Sequence, residues 1–169
     1  MNNRSISGLL CNCKKLMGAV QWYMGGKPRF MPVTEGYTFD LGGRSLSVIE
    51  TPGHTAGSIV LLDGANRMLF TGDNNNGQVW LFLGESRPLE TSMRSLDRLI
   101  ARMREFRVMY LGHGDPCDPA YLLDIRECGT LILSGGATGS AYQHHANAVA
   151  YDYRNAKIIV DPKKIREPE

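Results

Sequence analysis

No stretch of this sequence approaches the ~18 consecutive apolar residues of a membrane-spanning helix, so no such span is expected. Cysteine is scarce. The four residues, at 11, 13, 117 and 128, are too few and too unevenly spaced for a disulfide framework, and a reducing cytoplasm is the expected compartment. Cys11 and Cys13 form a C-x-C, but no partner pair stands at zinc-site spacing, so they read as plain buried or surface thiols. An excess of one charge is also missing: 19 Lys and Arg face 17 Asp and Glu, for a net +2, with the two signs interspersed. Nucleic acid is not expected as a partner. The amino terminus offers Arg4 and the apolar pair Leu9-Leu10 before Cys11. That apolar stretch is about half of a signal-peptide core, and Leu10 stands where a lipoprotein signal needs a small residue. The last absence is histidine, since residues 1–53 contain none.

What is present suits a globular domain. Across 169 residues, 43% hydrophobic and 21% charged content allows one sizeable core, and a single domain over 1–169 is expected. Residues 7–24 read as a modest helix closed by Gly25-Gly26 and Pro28. From Tyr37 the texture becomes short β-type runs, Tyr37–Leu41, Ser45–Glu50, Ser58–Leu62 and Arg67–Phe70, joined by glycine-bearing turns, which predicts an antiparallel meander. Thr91–Phe106 spaces Met93, Leu96, Leu99, Ile100, Met103 and Phe106 as a helix, with Thr91 or Ser92 as its N-cap. A strand at Val108–Leu111 follows, then a helix from Pro119 to Leu133 ended by Gly135-Gly136. Two last strands, Ala148–Tyr153 and Lys157–Val160, form a hairpin. The fold class implied is α/β, an α+β arrangement around a mixed sheet.

Three potential metal ligands share one local pattern, in which a β-type run ends in glycine and the ligand follows: Pro52-Gly53-His54, Thr71-Gly72-Asp73 and Leu111-Gly112-His113. In a meander whose third connection is a helical crossover, all three fall at one sheet edge. Two imidazoles and a carboxylate suit zinc, iron or manganese, and such an ion could generate hydroxide near neutral pH. Asp115 is either a further ligand or partner of His113, or a turn residue before Pro116. Asn74-Asn75-Asn76-Gly77 could offer amides to a substrate, although turn chemistry is the stronger reading. Trp80, Phe82 and Leu83 read as core rather than pocket wall. His144 and His145, being adjacent, point apart and are not expected to share a metal.

Thr51-Pro52-Gly53-His54-Thr55-Ala56-Gly57-Ser58, Leu69-Phe70-Thr71-Gly72-Asp73 and Gly112-His113-Gly114-Asp115-Pro116 resemble successive motifs of the metallo-β-lactamase-fold hydrolases. The resemblance covers roughly residues 35–116. It implies an αβ/βα sandwich with a metal site along one edge and hydrolysis by a metal-bound hydroxide. By motif, His54 would complete one metal site, Asp73 would bridge two metals, and His113 would hold the second. The family's H-x-H-x-D-H motif is absent, so the expected domain is a partial, N-terminally incomplete one.

With three ligands in place of seven, one zinc ion (or iron or manganese) at most is expected. The leading expectation is a metal-dependent hydrolase acting on a small molecule, with its missing half encoded upstream or supplied by another chain. The alternative is a non-catalytic truncated domain that binds at most one metal and self-associates. A third reading is a single-metal, oxygenase-like site on the same three residues. Removing half of a sandwich would bare an apolar sheet face, so a homo-oligomer is expected unless the missing half covers it.

Overall fold

Period-two alternation builds the first sheet. The structure, a computed structural model, describes residues 32–145 and 147–168; the helix read over 7–24, with Cys11 and Cys13, lies outside them. Strands β1 (Thr38–Asp40), β2 (Ser45–Glu50), β3 (Ile59–Asp63) and β4 (Met68–Gly72) pair in turn as the predicted antiparallel meander. Ile49, Val60, Leu62 and Leu69 turn one way into the main core, while Leu46, Val48, Leu61 and Phe70 turn the other way.

After β4 the chain does not go straight into a helix. A short strand, β5 (Val79–Leu81), first joins a different sheet, and only then does helix α1 (Leu89–Ala101) carry the chain back. Strand β6 (Val108–Leu111) then pairs with β4 in parallel, giving the order β1-β2-β3-β4-β6. Helix α2 (Tyr121–Ser134) leads to β7 (Ser140–Ala141), β8 (Val149–Tyr153) and β9 (Ala156–Val160), which complete a second sheet ordered β5-β9-β8-β7. Strands β8 and β9 are the hairpin expected from the sequence. Strands β5 and β7, at three and two residues, are too short to carry a periodic signal.

Helix α1 begins earlier than its capping pattern suggested. Its N-cap is Pro88, not Thr91 or Ser92, because Leu89 belongs to the buried stripe with Met93, Leu96 and Leu99. Proline lacks an N–H and resists winding further back. The α-helix stops at Ala101, and a 3₁₀ turn over Met103–Glu105 carries Phe106 into the core at near-helical spacing. Helix α2 ends as read: Gly135 adopts φ 75°, its N–H and that of Gly136 reaching the Ile132 and Leu131 carbonyls.

Side chains of both helices and both sheets share one core, in which α1 packs on α2 and α2 on β8 and β9. The outward apolar residues of the first sheet are buried as well, against Val33, Tyr37, Phe39 and Tyr110, so that face is not open at these positions. No helix among the described residues is long and apolar enough to cross a membrane.

Candidate metal centre

Because β2, β4 and β6 all run toward the same sheet edge, the residues that follow them meet there. His54 Nε2 stands 3.9 Å from Asp73 Oδ2, and His113 Nε2 stands 3.2 Å from Asp73 Oδ1. Each imidazole therefore faces a different oxygen of one carboxylate. The side chains of Asp73 and His54 are 13% and 15% exposed, whereas that of His113 is 73% exposed.

The glycines before these residues serve two different needs. Gly72 turns the chain through φ 55°, in the left-handed region that side chains disfavour, to start the 3₁₀ helix Asp73–Asn75. Gly112 is required by proximity: a Cβ there would lie 2.4 Å from Asp73 Oδ1 and 2.8 Å from the Gly72 carbonyl carbon. The parallel pairing of β4 and β6 shifts register between Phe70 and Gly72, and the Gly112 N–H donates to the Gly72 carbonyl at 2.8 Å.

The asparagines after Asp73, weighed from the sequence as turn residues or as amides offered to a substrate, tie the neighbouring loops together instead. They lie in a turn, as expected, but they are buried and hold the ligand loops together. Asn74 donates from Nδ2 to the Thr51 carbonyl and hydroxyl, and its Oδ1 accepts the His54 N–H at 3.1 Å. Asn76 Oδ1 accepts the His113 N–H at 3.1 Å, and its Nδ2 donates to Asp73 Oδ1 at 2.9 Å. The Tyr121 hydroxyl donates to the Asn76 carbonyl at 2.8 Å, and burial pushes that phenol up to about 12, which keeps it a donor. Asn75 Oδ1, two residues from Asp73, is buried with no hydrogen-bond partner among the described residues. A run of amides directly after Asp73 was the available signal, and only the burial shows which way it reads.

His54 is fixed from several directions. Its Nδ1 lies 2.9 Å from the Trp80 carbonyl. A carbonyl can only accept, so Nδ1 carries a proton in this contact, and Nε2 is the ring nitrogen that faces Asp73. The Ser86 hydroxyl donates to the His54 carbonyl at 2.8 Å, and the Arg87 N–H to that of Gly53 at 2.8 Å. Trp80 thus contributes a backbone atom while the residue stays 38% exposed, unlike buried Phe82. His144 and His145 are exposed and lie against the rings of Tyr142 and Phe82 respectively. Asp115 is exposed on the loop after His113. Among the described residues, no three His, Cys, Asp or Glu side chains are arranged to hold one ion.

The sequence profile of the metallo-beta-lactamase superfamily matches residues 22–113. No curated protein matches the sequence. Among solved structures, the chain resembles a metallo-beta-lactamase family protein from Thermus thermophilus, with TM-score 0.50 and 21% identity over 73% of this chain and 48% of that one. It also resembles a metallo-beta-lactamase from Pontibacter korlensis (TM-score 0.51, 23% identity, 67% of this chain and 54% of that one). A third likeness is ETHE1 from Myxococcus xanthus (0.53, 20%, 65% and 56%). The chain thus spans about half the length of these structures, and at such identities the likeness is one of fold.

Proposed function

We propose, from the premise that the chain belongs to the metallo-beta-lactamase superfamily, that His54, Asp73 and His113 are metal donors of a hydrolytic centre acting on a small molecule. The observation that carries this reading is the placement of one imidazole on each oxygen of the Asp73 carboxylate. Those three residues would hold the ion. Zinc is the ion best matched to imidazole and carboxylate donors, with iron and manganese next. When bound, such an ion would polarise a substrate oxygen and lower the pKa of water toward neutrality.

The chain's own residues do the positioning. The Trp80 carbonyl selects the tautomer of His54 whose Nε2 can donate to a metal. Asn76 holds one Asp73 oxygen, and Asn74 and Asn76 set the backbones on which the two histidines ride.

Zinc titration of the purified full chain by calorimetry, repeated with Asp73→Ala, tests the reading. Binding that disappears in the variant is expected, together with zinc-dependent turnover on some member of a lactam, thioester, lactone and phosphodiester panel. Equal zinc binding by the two proteins would remove the basis for it.

A further inference from the structure

The family match ends at residue 113, yet the groups that hold the back of the His54 loop trace to the last residues of the chain. After β9, Asp161 accepts the Lys163 N–H at 2.9 Å and turns the chain through a short 3₁₀ helix, Pro162–Lys164. The Lys164 ammonium then reaches three backbone carbonyls, those of Leu83, Gly84 and Ser86, the last two at 3.0 and 3.1 Å. An ammonium has three N–H donors and no acceptor, so three convergent carbonyls satisfy it. Such charge-assisted bonds are roughly twice as strong as neutral ones.

Ser86 passes the restraint forward. It is 6% exposed, and its hydroxyl donates to the His54 carbonyl. The far end of the segment is fastened independently: Arg166 pairs with Glu90 at 2.8 Å and with the Leu133 carbonyl at 2.7 Å, and Glu167 pairs with Thr91 and Arg94. The result is a strap anchored on both helices, with Lys164 gripping the 83–86 segment between its ends.

We propose that this strap, residues 161–167, positions His54: Lys164 fixes the 83–86 segment, and Ser86 carries the restraint to the His54 carbonyl, so that the imidazole meets Trp80 and faces Asp73. Lys164 and Ser86 are positioning residues, and their importance for metal binding rests on the reading of His54 as a donor. The contact chain itself does not depend on that reading.

The test is nitrogen NMR of the metal-free full chain with ¹⁵N-labelled histidine, the His54 signals being assigned by their loss in His54→Gln. Wild type should show one tautomer at His54, protonated at Nδ1. Lys164→Met and Ser86→Ala should each move the His54 nitrogens toward a tautomer mixture, leave His113 unmoved, and weaken zinc binding about tenfold. A merely structural role for Lys164 would lower stability without shifting those nitrogens. Unchanged His54 nitrogen shifts in Ser86→Ala overturn the proposal, and that variant decides the matter if Lys164→Met does not fold. Should wild type bind no zinc, the metal reading falls while the nitrogen shifts still decide the strap.

Discussion

The two histidine loops end on the same carboxylate but are built differently. His54 is held at its backbone N–H by Asn74, at its carbonyl by Ser86 and at its ring by the Trp80 carbonyl, with 15% of its side chain exposed. His113 is held at its backbone N–H by Asn76 among the described residues, and its side chain is 73% exposed. A donor already held in its binding geometry loses little entropy when an ion arrives, whereas an exposed one must be ordered at that moment. The His54 side of the centre is therefore preorganised and the His113 side open.

Removing each clamp in turn should expose this asymmetry. Asn74→Ala deletes three hydrogen bonds, two of them buried, and leaves the Thr51 carbonyl without its Asn74 partner, so a loss of about 3 kcal/mol is expected in urea denaturation. Asn76→Ala should cost about half as much, because the loop that it holds is already exposed. Equal losses would erase the distinction between the two sides.

Gly112→Ala tests what the sides share. The new Cβ would meet Asp73 Oδ1 and the Gly72 backbone, and overpacking of this kind costs about 2 kcal/mol. Zinc affinity should fall along with stability, since the displaced carboxylate serves both imidazoles. Retained affinity would show that Asp73 can shift without consequence.

A smaller contrast is expected from the histidines themselves. His54→Ala should lower stability by about 1 kcal/mol through the lost Trp80 bond, while His113→Ala should stay within about 0.5 kcal/mol of wild type in the same measurement.

A pH dependence is expected as well, confined to the alkaline range. Tyr121 keeps its proton in the folded chain to about pH 12, against 10.0 for an unperturbed phenol. Between these values the unfolded chain binds fewer protons than the folded one, so stability falls as pH rises through that window. Tyr121→Phe should flatten this part of the pH profile.

Much of the architecture was legible because it is periodic or punctuated. The meander alternates apolar residues, Gly135 marks the end of α2, and Gly72 and Gly112 sit directly before Asp73 and His113. The illegible parts are those with no local signature. Strand β5 has three residues, and its partner β9 lies almost eighty residues further on, so nothing nearby assigns it to a second sheet. The start of α1 was misplaced because Thr91 and Ser92 look like caps, whereas Thr91 is buried and bonds to Glu167.

By itself the sequence determined which three groups could donate to a metal and that they end on one sheet edge, because strand direction and the residue after a strand are set locally. Tertiary structure decided how those groups are held. Asn74 and Asn76 act through burial, Trp80 through a backbone carbonyl that any residue would carry, and Lys164 through three carbonyls about eighty positions away. Such restraints depend on distances closed only when the two sheets and two helices share a core, and residue type alone does not encode them.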